Sequence, residues 1–159
     1  MKRLECIWSQ SKLSIATKLR IYSMHVIYNT YGSESWTFTQ ADWKRLDSFH
    51  LQCQRRILHI SWYDFVSNDE VLRRSGLFDV SYIVCKRRLG LFGHVARLRS
   101  YAPANQILRI CTKTRDGDRP SQEWRRVNGP PTTWIHQICR DTGVTATEAL
   151  DLAWDKPFW

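Results

Sequence analysis

The sequence predicts a mainly α fold, a helical bundle followed by a short C-terminal helical segment. Three observations carry that prediction. Alternation of apolar and polar residues with a period of two is scarce. Apolar residues instead recur at three- and four-residue steps, so each set lies on one face of a helix. The stretches that show this period are bounded by Ser, Thr, Asn or Asp at the start and Gly or Pro at the end, the residues that cap and stop helices.

Met1–Gln10 has no clear period. Ser11–Tyr31 reads as a helix with Leu13, Ala16, Leu19, Tyr22, Val26 and Ile27 on one side and Lys12, Lys18 and Arg20 near the other. Gly32 stands where a left-handed C-cap residue belongs. A short connection through Trp36 and Phe38 then makes this helix the antiparallel neighbour of the next. That next stretch, Thr39–Asn68, opens on Thr39 with Asp42 three residues on, a variant of the capping box. Trp43, Leu46, Phe49, His50, Cys53, Ile57 and Ile60 form its apolar stripe. Lys44, Arg45, Gln52, Gln54, Arg55, Arg56 and His59 fall off that stripe and predict a basic exposed face.

A short helix, Asp69–Ser75, follows a cap at Asn68 or Ser67 and stops at Gly76. Asp69 and Glu70 in its first turn and Arg73 and Arg74 in its last suit the helix dipole. Asp79 or Ser81 opens a helix to about Leu98, with Val84, Cys85, Leu91, Phe92, Val95 and Leu98 apolar and Lys86, Arg87 and Arg88 opposite. Gly90 and Gly93 inside it each cost up to ~1 kcal/mol against Ala, which close helix–helix contact would offset. Pro103 suits the first position of a helix to Cys111. Thr112–Pro131 holds Lys113, Arg115, Arg119, Arg125 and Arg126 among Gly and Pro and reads as a basic linker. Thr132 or Thr133 begins a helix through Arg140 that Gly143 stops. Thr145 and Glu148 make a capping box for a last helix, acidic through Glu148, Asp151 and Asp155, that Pro157 ends. The expected divisions are 1–66, 67–111, the linker 112–131, and a helical hairpin over 132–159.

Net charge is +9 over 159 residues, and 8 of them are Trp. A chain this basic attracts polyanions, nucleic acid above all, and aromatic rings can stack on bases. No window of about 18 uncharged apolar residues is present, so no membrane partner is expected. The N-terminus lacks the apolar core of a signal peptide. Five widely spaced cysteines, Cys6, Cys53, Cys85, Cys111 and Cys139, read as free thiols in a reducing compartment. The expected location is intracellular, in a nuclear or cytoplasmic ribonucleoprotein, and not secreted.

Sites for chemistry are few. His50 with Cys53, and His136 with Cys139, stand at i, i+3, and four such ligands can hold zinc. Both pairs lie on apolar stripes and no Cys-x-x-Cys knuckle accompanies them, so packing is the favoured role and no metal ligand is assigned. Asp116 and Asp118 could offer Mg²⁺ two carboxylates, but they flank Gly117 in a sequence that favours a turn. No nucleophile elbow and no phosphate-cradling loop is present. His94, after Gly93, reads as an ordinary hydrogen-bonded helix residue. No catalytic residue is assigned.

What remains is basic. Lys18, Arg20, Lys44, Arg45, Arg55, Arg56, Lys86, Arg87, Arg88, Arg97, Arg115, Arg119, Arg125 and Arg126 are the candidate phosphate contacts. Trp36, Trp62 and Trp124 lie near them and could stack on bases, although a single Trp is more often core.

Several blocks, taken together, resemble a known family. Lys18-Leu19-Arg20-Ile21-Tyr22, then Tyr31-Gly32-Ser33-Glu34-Ser35-Trp36, then Arg56-Ile57-Leu58 with Trp62, Asp64 and Asn68, are similar to non-LTR (LINE-type) retrotransposon reverse transcriptases downstream of the polymerase palm. Arg87-Arg88-Leu89 leading to Gly93-His94-Val95 continues the likeness. It then reaches Trp124-Arg125-Arg126, Thr133-Trp134 and Ala153–Trp159, so it covers nearly the whole chain in order. Gly129-Pro130-Pro131 departs from the family's Gly-Arg-Pro and loses one phosphate contact that the resemblance implies. No Asp-Asp pair occurs, so the carboxylates that hold two catalytic metals are absent.

The resemblance implies a thumb-like bundle over 1–66 and a helical region after it, apart from the catalytic palm of an RNA-directed DNA polymerase. A thumb grips a template–primer duplex, so the implied partners are an RNA–DNA hybrid or a DNA or RNA duplex and the parent protein's polymerase domains. No cofactor is implied for this chain, and Mg²⁺ only for the missing part. Two other readings stand beside it: a passive structural remnant that does not fold stably alone, and a Mg²⁺-dependent nuclease resting on Asp116 and Asp118.

Overall fold

A computed structural model describes residues 6–27, 32–117, 133–157 and 159. It is mainly α, with no strand among the described residues. In chain order the helices are α1 (Ile15–Tyr22), α2 (Gln40–Ile57), α3 (Asn68–Ser75), α4 (Val80–Ala96), α5 (Pro103–Asp116), α6 (Trp134–Thr142) and α7 (Ala146–Leu152). A π-helical turn, Ser23–Ile27, follows α1, and 3-10 turns occupy Ser33–Ser35 and Trp62–Asp64. The chain divides into two compact units. One holds residues 1–31 and 40–84, the other 32–39 and 85–159.

Local signals set most of the boundaries. Ser67 Oγ accepts from the Glu70 amide, and Gly76 closes α3 at φ 64°. Thr133 Oγ1 accepts from the His136 amide, and Gly143 closes α6 at φ 75°. Thr145 and Glu148 cap α7 reciprocally. In each case a side chain satisfies an amide that the first turn cannot, and for α3 and α6 a glycine supplies the left-handed residue that closes the last turn.

Three boundaries differ from expectation. The first helix starts at Ile15 behind a Ser14 cap rather than at Ser11, because Ser14 Oγ accepts from the Thr17 amide. The helix from Pro103 runs on to Asp116 and ends on Gly117 at φ 116°, so Thr112–Asp116 is helix, not linker. Thr112 drives that extension: it is buried, and its hydroxyl donates to the Arg109 carbonyl, 2.9 Å. The last helix ends at Leu152, short of Asp155. The rest of the expected linker, 118–132, lies outside the described residues, as do Arg119, Arg125, Arg126 and Trp124.

In the first unit α1 and α2 share a core. Trp8, Tyr22, Cys53 and Ile57 are buried together, with Leu19, Phe49 and Leu77 against them. Buried Tyr22 donates its hydroxyl hydrogen to His50 Nδ1, 2.7 Å. In the second unit Phe92 and Ala96 of α4 meet Leu108, Ile135, Ile138, Ala149 and Leu150. Segment 32–39 joins this unit because α6 holds its backbone. Trp134 Nε1 donates to the Glu34 carbonyl, 2.6 Å, and Gln137 Nε2 to that of Phe38, 2.7 Å.

The two glycines of α4 have different reasons to be there. A Cβ on Gly93 would come within 2.5 Å of the Trp159 indole, whose Nε1 donates to the Leu89 carbonyl at 2.8 Å. The close approach is real, but its partner is a ring, not a second helix. A Cβ on Gly90 would meet nothing within 4 Å, so packing gives no reason for that glycine.

Candidate nucleic-acid interface

Among the described residues of the first unit, α2 carries three exposed cations, Lys44, Arg45 and Arg56. Arg45, Gln52 and Arg56 stand at i, i+7 and i+11 and therefore share one line along the helix, with Lys44 beside it. Lys44, Arg45, Gln52 and Arg56 are exposed, as expected from the sequence, and so is Arg20 in the last turn of α1. The opposite face is buried through His50, Cys53, Gln54 and Ile57. Burying that face is what turns the basic line outward.

Gln54 corrects the sequence reading. It was expected on the solvent side, but it is buried and its Oε1 accepts from Ser75 Oγ at 2.6 Å. Arg55, beside it, is half-buried. Its Nη2 donates to the Val66 carbonyl at 2.7 Å and to Asn68 Oδ1 at 2.9 Å. Arg55 therefore ties the chain after α2 to the helix rather than facing outward.

Two further candidates are interior. Lys18 is 2% exposed, and its Nζ donates to the Trp8 carbonyl at 2.6 Å. Arg88 is 0% exposed, and its Nη1 pairs with Asp141 Oδ2 at 2.5 Å. Both were expected on a solvated face; instead Lys18 is held inside by a carbonyl ten residues back and Arg88 by a carboxylate 53 residues on. Lys86, one turn earlier than Gly90, is exposed and Arg87 half-buried. Arg97 and Arg115 are half-buried and engaged, Arg97 Nη1 donating to the Ala153 carbonyl at 2.6 Å and Arg115 Nη2 to His136 Nδ1 at 2.9 Å. Arg73 and Arg74 both grip Glu70, whose carboxyl they hold down at about 2.

The two histidines weighed as metal ligands make other hydrogen bonds. A carbonyl can only accept, so His50 Nε2, 3.1 Å from the Phe78 carbonyl, carries the ring proton. Its Nδ1 lone pair then takes the Tyr22 hydroxyl, leaving neither nitrogen for a metal. His136 Nδ1 accepts from Arg115, because a guanidinium has no lone pair to offer. Among the described residues no group of three or more His, Cys, Asp or Glu side chains is placed to hold a metal ion. All five cysteines are free of disulfides. Burial and then the charge of Asp141 push the Cys85 thiol up to about 11, so it stays protonated near neutrality.

Asp116 has a structural task. It ends α5 and accepts at the start of α7, from the Thr147 amide at 2.8 Å, from the Thr147 hydroxyl, and from the Ala146 amide at 3.4 Å. Burial pushes its carboxyl up, but those hydrogen bonds outweigh it and hold the group below the usual range. It is a cap supplied by one helix to another, and Asp118 lies outside the described residues.

Burial lowers the pKa of His50, with the Phe78 carbonyl and Asp79 opposing. The folded chain thus resists a proton that the unfolded chain accepts near pH 6.5. Since ν_U exceeds ν_N there, stability falls as pH drops through that value and is regained above it. Urea midpoints should therefore decline between pH 7.5 and 5.5. His50→Gln, which cannot titrate, should flatten the decline.

The sequence reading named Trp62 as a possible stacking ring but missed its neighbours Tyr63 and Phe65. Trp62, Tyr63 and Phe65 stand exposed on the turn after α2. Ser61-x-x-Asp64 is a capping-box pattern with Asp in the last place, and that pattern was the available signal for a tight turn there.

One comparison gave a match. The chain is 38% identical over 72 residues, 43% of its length, to a protein of Caenorhabditis elegans named as a putative uncharacterized transposon-derived protein. The matched part is 26% of that relative. No family model matches the chain. No solved structure matches it. Among the described residues no helix is long and apolar enough to cross a membrane.

Proposed function

We propose that this chain derives from a transposable element and is the nucleic-acid-gripping, C-terminal part of a non-LTR retrotransposon reverse transcriptase. The polymerase chemistry, with its Mg²⁺, belongs to a palm elsewhere in the parent protein. The observation that carries the reading is the solvent side of α2, which holds exposed Lys44, Arg45 and Arg56 on a helix whose other face is locked into a core. Cations held on a rigid helix can neutralise successive phosphates and release their counterions, which gives affinity for a duplex without reading its sequence. The transposon-derived relative supports the origin, and the family blocks support the polymerase class.

The test is binding to an RNA–DNA hybrid over a salt series. Each phosphate neutralised adds about −0.9 to the slope of log K against log salt. Lys44→Glu, Arg45→Glu and Arg56→Glu together should weaken binding at every sequence and reduce the slope by about 3, with circular dichroism unchanged. Arg55 and Arg88 are unsuitable targets, because their loss would disturb the fold. A slope near zero in the unaltered chain removes the proposal.

A second reading has its own observation. Ile107 and Ile110 stand exposed on α5, apolar surface of the kind that rests on a neighbouring domain. In that reading the chain is a structural module of a larger protein, and the hybrid is not bound.

A further inference from the structure

The turn after α2 presents aromatic rings on a fixed backbone. The chain leaves the helix through His59, at φ 56°, while the Ile60 amide donates to the Arg55 carbonyl at 2.9 Å. Ser61 and Asp64 cap the 3-10 turn reciprocally, the Ser61 amide donating to Asp64 Oδ2 at 2.7 Å. Phe65 follows at φ 49°. His59 and Phe65 are the non-glycine residues with positive φ among those described, and they bracket the turn. Left-handed backbone is uncommon outside glycine and persists where the surroundings impose it. Here Arg55 imposes it from beneath, through its bonds to Val66 and Asn68.

On this scaffold Trp62 is 85% exposed, Tyr63 62% and Phe65 89%. The Trp62 and Tyr63 rings meet edge to face, with centroids 5.9 Å apart and planes at 78°. The aliphatic side chains of the turn, Ile60 and Val66, are half-buried, so what the turn offers to solvent is flat rings. Arg56 and His59 are exposed at its base. The carboxylate within the turn, Asp64, is engaged by the Ser61 amide. Flat π-faces on a turn that follows the Arg56 cation complement a strand of unpaired nucleotides, whose bases stack and whose phosphates carry the opposite charge.

We propose that Trp62, Tyr63 and Phe65 form a stacking platform for unpaired nucleobases at the end of the α2 phosphate contact. The proposal rests on the nucleic-acid reading and adds to it that single-stranded nucleotides, not only duplex backbone, are held. Its test uses the full chain and two probes, an oligothymidylate and a strand of equal length made of abasic sites. Both carry the same phosphates, and only the first carries bases.

The base-bearing strand should bind more tightly, by roughly 5- to 150-fold for each base stacked. Trp62→Ala with Phe65→Ala should abolish that preference, leave abasic affinity unchanged, and leave circular dichroism unchanged because both rings lie in solvent. Trp62→Phe should keep part of the preference. Equal affinity for the two strands, or a preference that survives loss of both rings, overturns the platform alone. If neither strand is bound while the RNA–DNA hybrid is, the platform falls alone; if the hybrid is not bound either, the wider nucleic-acid reading falls, and this one with it.

Discussion

Asp141→Ala should destabilise the second unit by about 3–5 kcal/mol, the cost of leaving a buried charge without its counter-ion. Arg88 is fully buried, and Asp141 Oδ2 lies 2.5 Å from its Nη1. Desolvating a guanidinium costs several kcal/mol, and the carboxylate recovers that cost only while it is present. Removing both charges is a different experiment. Arg88→Met with Asp141→Leu exchanges the pair for apolar atoms of similar volume, and such exchanges are often neutral or stabilising. The expected pattern in urea unfolding is therefore a large loss for the single variant and little or none for the double one. Comparable losses in both would mean that Arg88 contributes mainly by packing its stem, and that the ion pair matters little.

Phe92→Ala should cost about as much, roughly 3–5 kcal/mol, for an unrelated reason. Phe92 has no exposed surface, and its ring lies 6.0 Å from that of Trp134 and 5.4 Å from that of Trp159. Truncation removes the transfer free energy of the ring and leaves a cavity whose walls are held by other bonds. Trp134 is anchored to the Glu34 carbonyl and Trp159 to that of Leu89, so neither ring is free to collapse inward. Thermal unfolding of Phe92→Ala beside Phe92→Leu separates the cavity from the aromatic contact. A loss confined to about 1 kcal/mol in Phe92→Ala would show that the rings do repack.

The two effects differ in how visible they were beforehand. Phe92 belongs to the stripe Val84–Leu98 that the helical period marks, and its burial follows from that period. Arg88 carries no such mark. It sits with Lys86 and Arg87 in a run that, by charge alone, belongs in water, and the carboxylate that draws it inward is 53 residues away. Lys18 repeats the case with the Trp8 carbonyl, and Gln54 with Ser75. The candidate interface was therefore legible as a region and not as a list of residues. Arg20, Lys44, Arg45, Arg56 and Lys86 stand exposed as expected, whereas Arg55, Arg97 and Arg115 spend their donors on carbonyls, an amide oxygen or a histidine.

The aromatic turn was legible only in part, through Trp62. A tryptophan read from sequence is assigned to a core, because most rings are buried. At Trp62 the backbone overrides that preference. Residues in left-handed conformation on both sides and a reciprocal cap between them fix the ring positions before any core can claim them.

By itself the sequence determined the helical class, the cap at Thr145, the stops at Gly76 and Gly143, and which face of α2 is apolar, and it narrowed the caps of α3 and α6 to two candidates each. Each of these depends on hydrogen bonds or contacts within a few residues, so the information sits where the effect is felt. Only the tertiary structure decided which cations are spent inside, that α6 holds segment 32–39 through Trp134 and Gln137, and that Asp116 caps α7. Those outcomes join residues tens of positions apart. Their energies come from desolvation and from satisfying buried polar atoms, which no local pattern of residues encodes.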